Sequence, residues 1–355
     1  MKKGIIILLY IIQIFCILTL SACTDKEPAE TATGDTAVAE SRLPSTENAV
    51  SQTTAVETAS PTVSEGGNKS EPATESMSFD PYATENRYDV PASMFERYSN
   101  VDYGRLDKDV TYYSTVAGDN KQVNVLLPAG YDENQTYPVM YVVHGFDADH
   151  NAHVGSDTYL TLLYGNMLDQ GLTVPMILVG IDMYTDKLAD KDSKSYEELR
   201  YIYDKCIDVI KIDLMPFMEQ HYPVSTERKD TAVAGVSEGG AKSLCIGFKW
   251  LDEFGWIGGF APDANVIPTG SGEWESYWTD PYMQEFPQPN ESKTPYYLYM
   301  AVGSEDPWCI DCTLLYRDTL NNMGVKNQTD YVEGYGHNTE FWGQCYYNFL
   351  SKVFR

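Results

Sequence analysis

Thr231-Ala232-Val233-Ala234-Gly235-Val236-Ser237-Glu238-Gly239-Gly240 decides the fold. Thr231 to Val236 is short, apolar and β-branched, which predicts a strand. Ala241 to Trp250 reads as a helix. Between them lies Gly-x-Ser-x-Gly, in the strand–turn–helix setting that such an elbow needs. A turn this tight leaves no room for side chains at its flanks. Gly235 and Gly239 permit it, and Ser237 is lifted clear of the sheet. The helix behind Ser237 presents free N–H groups and a positive dipole end.

Working outward, Pro138 to Val143 and Met176 to Ile181 are continuous apolar runs. Such runs suit strands covered on both faces. Thr111–Ser114, Gln122–Leu127, Trp256–Phe260, Tyr296–Val302 and Thr329–Val332 also read as strands, and residues 81–105 as an irregular lead-in. A helical stretch runs from Tyr196 to Tyr222. It places Ile207, Ile210, Leu214 and Phe217 on one face, carries a potential kink at Pro216 and ends at Pro223. Further helices are expected over Cys309–Met323 and Asn338–Phe354. Strands alternating with helices predict an α/β architecture, a mostly parallel central sheet with helices on both faces. Its site should lie at the carboxyl ends of the strands.

A serine hydroxyl is a weak nucleophile and needs a base. The sequence has five histidines. His221 ends a helix and reads as a surface or capping group. His144 ends a buried strand and reads as structural. His150 and His153 fall in a polar loop. His337, in Gly334-Tyr335-Gly336-His337-Asn338, sits on a Gly-built loop between the last strand and the last helix, where it could reach Ser237. An acid must orient the base. Asp306, in Gly303-Ser304-Glu305-Asp306-Pro307, gives the chain order Ser, Asp, His. Glu305 is its neighbour, and Asp263 follows an earlier strand end. The oxyanion of an acyl transfer needs two donors. The backbone N–H groups of Glu238 and Phe146 are the candidates. The Glu238 side chain is unusual beside a developing negative charge, and should face solvent or pair with a base.

Several segments taken in order carry a resemblance. They are Tyr137-Pro138-Val139-Met140-Tyr141-Val142-Val143-His144-Gly145, the elbow 235–240, Gly303-Ser304-Glu305-Asp306, and Gly336-His337 with Trp342 five residues on. Together they resemble carbohydrate esterase family one, the feruloyl and acetyl xylan esterases. Wider relatives are the S-formylglutathione hydrolases and mycolyltransferases. The likeness covers roughly Tyr98 to Arg355. It implies an α/β-hydrolase fold and Ser237, Asp306 and His337 as a triad, with no cofactor and no metal. Two departures bear on the acyl pocket. Glu238 stands where Met is frequent, and Phe146-Asp147-Ala148-Asp149 stands where the loop is often Gly-rich.

The amino-terminal residues carry different information. Lys2 and Lys3 precede an apolar run from Gly4 to Leu20, and Leu20-Ser21-Ala22-Cys23 follows. This is a secretory signal pattern over residues 1–22. Its end resembles the bacterial lipoprotein box, which implies a lipid on Cys23 and a location outside the cytoplasm. An uncleaved membrane anchor is the other reading. Residues 23–80 are rich in Thr, Ser, Ala, Glu and Pro, with 11 acids against 3 bases from Thr24 to Asp80. A stretch so poor in apolar residues is expected to stay disordered and act as a tether. Residues 81–355 form the one large domain. A net charge of −27 excludes nucleic acid as a partner and disfavours polyanionic substrates.

Cys309-Ile310-Asp311-Cys312 lacks the second pair that a zinc site needs. A disulfide from Cys345 to Cys309 or Cys312, or within the C-x-x-C, is expected outside the cytoplasm. Cys206 and Cys245 read as buried small apolar residues. Trp308, Trp274 and Trp278 are candidate substrate-stacking rings near the site. The expected function is hydrolysis of feruloyl or acetyl esters on plant cell-wall poly- or oligosaccharide. Siderophore ester hydrolysis, acyl transfer on the same triad, and a non-catalytic carbohydrate-binding surface protein are the other readings.

Overall fold

Val142 pairs in register with Ala234 on one side and Gly180 on the other, so the most apolar runs of the sequence lie side by side at the centre of one sheet. The computed structural model describes residues 79–186, 193–264 and 294–355. The leader 1–22 with Cys23, most of the tether, and Trp274 and Trp278 lie outside the described residues.

The sheet has eight strands: β1 (Arg105–Ser114), β2 (Asp119–Leu127), β3 (Val139–Val143), β4 (Ile177–Ile181), β5 (Thr231–Val236), β6 (Trp256–Phe260), β7 (Tyr297–Gly303) and β8 (Gln328–Val332). Their spatial order is β1-β2-β4-β3-β5-β6-β7-β8. The strands from β4 to β8 in that order are parallel, and β2 runs antiparallel to both β1 and β4. Every residue of β3, β4, β5, β6 and β7 is buried, as continuous apolar runs require.

The helices are α1 (Tyr159–Asp169), α2 (Tyr196–Asp204), α3 (Cys206–Val209), α4 (Met215–His221), α5 (Glu238–Lys249), α6 (Ile310–Asn322) and α7 (Thr339–Leu350). Alternation along β6 shows two of them on opposite faces. A Cβ at Gly259 would meet the Leu244 side chain, and one at Gly247 would meet Ile257, so odd positions face α5. Phe260 instead packs its ring against Tyr346 and Phe349 of α7. Tyr297 stacks on Phe349 from the neighbouring strand. Rings of this size buried on one face supply about 1.5–3 kcal/mol each.

Some boundaries differ from those the sequence predicts. β1 begins at Arg105, well before Thr111, because a break in register between Asp107 and Val110, with Asp109 at φ 54°, disrupts the alternation there. The turn Ile210–Leu214 ahead of Pro216 is π-helical, with Met215 N–H bonded to the Ile210 carbonyl. The expected kink is thus a widened turn. Helix α1 has no counterpart in the sequence reading. Its residues Leu160 to Met167 are all buried, so no polar stripe gives it a period. Among the described residues no helix is long and apolar enough to cross a membrane.

The interior position Gly165 explains why α1 is hard to read. A Cβ there would lie 2.3 Å from the Tyr103 ring, which is itself held by a 2.8 Å hydrogen bond from its hydroxyl to Asn166 Oδ1. Gly to Ala inside a helix ordinarily stabilises by about 1 kcal/mol. Here the collision reverses the sign, and Gly165→Ala should lower stability by about 1–3 kcal/mol in urea denaturation.

Candidate active site

Ser237 occupies the sharp turn between β5 and α5 with φ 55° and ψ −126°, a conformation that non-glycine residues seldom adopt. Its N–H donates to the Phe260 carbonyl at 2.9 Å, and its carbonyl accepts from Asp263 N–H at 3.1 Å. The neighbouring glycines are sterically obligatory. A Cβ at Gly239 would sit 2.1 Å from the His144 carbonyl oxygen, and one at Gly235 would sit 2.4 Å from that of Gly239. The chain after β3 therefore lies against the elbow. A Cβ at Gly145 would be 3.5 Å from Ser237 Cβ.

His144 is structural, as expected, and its bonds orient a neighbour. Its Nδ1–H donates to the Gly145 carbonyl at 2.6 Å, and its Nε2 accepts Met183 N–H at 3.0 Å. A carbonyl can only accept, which fixes the tautomer. Gly145 C=O and Phe146 N–H belong to one trans peptide and point in opposite directions. The imidazole thus turns the Phe146 N–H away from itself.

His337 and Asp306 come together from the loops after β8 and β7. His337 Nδ1 lies 2.7 Å from Asp306 Oδ2, and Asp306 Oδ1 accepts the N–H groups of Trp308 and Cys309, each at 2.9 Å. Burial would raise the pKa of this carboxyl. The hydrogen bonds from His337 and the two N–H groups outweigh it and hold the pKa below the ordinary aspartate value. Glu305, its neighbour, is exposed, and Asp263 turns its carboxylate onto Ala264 N–H at 2.7 Å. Of the three acids, Asp306 is the one buried with a hydrogen bond to His337.

Two indoles meet the His337 ring edge-on, Trp308 and Trp342, both with centroids 5.2 Å away and planes near 90°. Trp308 is 65% exposed. Trp342 reaches back to His153 at 6.5 Å. The sequence reading placed Trp342 in the motif after His337 but gave it no contact with that ring.

Glu238 takes the second of its two expected roles, pairing with a base, while two histidines differ from expectation. Glu238 is fully buried and pairs at 3.0 Å with Lys242, one turn along α5. Lys242 also pairs with Asp204. The i,i+4 spacing of Glu238 and Lys242 was a readable signal; Asp204 had none. His150 and His153 are buried, despite their polar surroundings in sequence. His221 is exposed and donates Nδ1–H to the Phe217 carbonyl, as a capping group would.

The cysteines require a correction. Cys206, Cys245, Cys309, Cys312 and Cys345 are all free and buried, and the expected disulfide is not formed. Cys312 Sγ donates to the Pro262 carbonyl at 3.2 Å, and the thiol of Cys345 bonds instead with Tyr299 of β7. Ligand-type atoms of Asp306, Cys309 and His337 lie within 4.8 Å of one another. They suit a metal poorly. Asp306 already spends both oxygens on N–H donors, and hydrogen bonding with Cys312 together with burial pushes the Cys309 thiol up, away from the thiolate that binds metal.

The family model described as "Putative esterase" matches residues 114–346. A curated endo-1,4-beta-xylanase/feruloyl esterase of Xylanibacter ruminicola is 22% identical over 300 residues, 82% of this chain and 37% of that protein. Endo-1,4-beta-xylanase Y of Acetivibrio thermocellus is 23% identical over 61% of this chain and 20% of its own length. The chain thus spans well under half of these relatives. A CE1 ferulic acid esterase from the anaerobic fungus Anaeromyces mucronatus is 29% identical without substrate and 28% in complex with ferulic acid. The two structures have TM-scores of 0.64 and 0.65, and each match covers 76% of this chain and 98% of the other. The feruloyl esterase module of Clostridium thermocellum, 18% identical with TM-score 0.53, shares the fold.

Burial holds the His153 pKa down to about 3, with a smaller push from His144. Unfolded, the imidazole titrates near its usual value of about 6.5. Below that pH the unfolded chain binds the extra proton. Stability present at neutral pH is therefore lost on acidification, by about 1.4 kcal/mol per pH unit from this group. The urea midpoint should fall more steeply between pH 7 and pH 5 in the parent than in His153→Gln. Equal slopes would remove His153 as the cause.

Proposed function

The chain belongs to the Esterase family and is a serine esterase, and on that premise we propose that it cleaves feruloyl esters of plant cell-wall polysaccharide with Ser237 as nucleophile. The observation that carries the residue assignment is the 2.7 Å bond between His337 Nδ1 and Asp306 Oδ2. A carboxylate held ionised on Nδ1 leaves Nε2 as the basic nitrogen. In the first half-reaction Nε2 takes the Ser237 Oγ proton as Oγ bonds to the ester carbonyl carbon. The oxyanion is met by the N–H groups of Glu238 and Phe146. On collapse the C–O bond to the sugar breaks, and the imidazolium returns its proton to the leaving hydroxyl. Water, deprotonated by His337, then releases the free acid from Ser237.

Feruloyl specificity draws on the likeness to the Anaeromyces ferulic acid esterase, which spans nearly all of that chain. The exposed Trp308 indole against the base ring supports it, since a flat ring there can stack on a sugar or a phenolic acyl group. The purified protein should hydrolyse methyl ferulate, and Ser237→Ala should lower turnover by about 10⁴-fold or more. Turnover of 4-nitrophenyl acetate with none of methyl ferulate would redirect the assignment to acetyl esters.

We also propose that the enzyme works at the cell surface, held by a lipid on Cys23 and displayed on residues 23–80. The reading rests on the leader pattern Leu20-Ser21-Ala22-Cys23 and suits a polymeric substrate outside the cell. In a bacterial host, radiolabelled palmitate should enter the full-length protein and fail to enter Cys23→Ser. Equal labelling of both would exclude this site.

A further inference from the structure

Tyr203 and Asp204, consecutive residues at the end of α2, reach the two segments that carry the proposed oxyanion donors. The Tyr203 ring meets the Phe146 ring edge-on at 5.4 Å and the His144 ring at 6.2 Å, both after β3. The Asp204 carboxylate pairs with Lys242, and Lys242 holds Glu238 at 3.0 Å in the first turn of α5. Ile202, one residue earlier, accepts a hydrogen bond from Thr185 in the loop after β4. Tyr203, Lys242 and Glu238 are fully buried, and Asp204 is 4% exposed.

A fully buried lysine between two carboxylates is a costly way to fill space. Well-packed apolar residues in such places are often neutral or stabilising. Burial disfavours the ammonium, yet Asp204 and Glu238 hold its pKa above the ordinary lysine value, so Lys242 stays charged. Its electrostatic effect is also unhelpful in itself. Two carboxylates against one ammonium at the amino end of α5 oppose a developing oxyanion. What the cluster does supply is direction. An ion pair fixes where α5 begins relative to α2, and Tyr203 fixes the Phe146 loop from the same turn.

We propose that the Tyr203-Asp204 turn is the positioning element of the oxyanion hole, setting the separation between the Glu238 and Phe146 N–H groups. The proposal rests on the reading of Ser237 as nucleophile with these two donors. Asp204 and Lys242 act through Glu238, and Tyr203 acts through Phe146. None of the three is required to touch substrate.

The test uses the whole protein and compares Asp204→Asn, Tyr203→Ala and Tyr203→Phe on 4-nitrophenyl acetate. Affinity for phenylboronic acid, whose serine adduct is tetrahedral, and the urea midpoint are measured alongside. Displacing a donor by a fraction of an ångström should lower kcat by about 10- to 100-fold with KM changed less than about twofold. Boronate affinity should fall in parallel with kcat, and Tyr203→Phe, which keeps the ring and loses only the hydroxyl's bond to the Asp147 backbone, should lose less of both than Tyr203→Ala. Because Asp204→Asn leaves Lys242 half-paired, the uncharged triple variant Asp204→Asn, Lys242→Met, Glu238→Gln is run beside it. That variant buries no unpaired charge and should fold, with the same loss of kcat. Unchanged or raised kcat in the folded variants, or a loss that follows the urea midpoint and spares boronate affinity, overturns the proposal. Activity surviving in Ser237→Ala would instead overturn the reading beneath it.

Discussion

The contact on which the rest depends is the backbone-to-backbone approach at the elbow. Gly239 lies so close to the end of β3 that a single added carbon would overlap the His144 carbonyl oxygen. This holds the carboxyl ends of β3 and β5 together with no side chain between them. Ser237 is then forced to φ 55°, and the helix after it must start at once. Strain of this kind costs of order 1–3 kcal/mol and persists only where surrounding structure over-determines it. Here Phe260 and Asp263 fix the Ser237 peptide from both sides.

Around that contact the protein accumulates groups that are expensive to bury. Asp306 lies beneath His337, His153 beneath Trp342, and Lys242 between Asp204 and Glu238. Each has a named partner. The partners differ in what they control: Asp306 sets a tautomer, the two indoles set a ring plane, and the charged cluster sets a distance between elements. Precision at the carboxyl edge of the sheet is thus obtained from polar and aromatic contacts, while the buried apolar residues of the central strands and the helices against them supply the core packing.

Much of this was legible in the chain. The apolar runs at 139–143, 177–181 and 231–236 announced a buried parallel sheet, because a strand covered on both faces has no polar side. The elbow announced itself because only glycine fits at 235 and 239. Candidate base and acid followed from chain order at strand ends. These features are local: each is a rule about a few adjacent residues.

Four features became visible only in three dimensions. Helix α1 is buried all round, so it carries no periodic stripe. The choice of Asp306 over Glu305 turns on which carboxylate is buried against His337, and neighbours in sequence do not differ in that respect. The expected bridge to Cys345 is not formed, because the Cys312 thiol donates to the Pro262 carbonyl and the Cys345 thiol bonds with Tyr299. Asp204 meets Lys242 across 38 residues, and no spacing rule joins them. By itself the sequence determined the sheet, the elbow and the kinds of residue at the strand ends, since those are set by local sterics and hydrophobic pattern. The tertiary structure decided which of those residues meet, because burial and pairing depend on what the rest of the chain brings alongside.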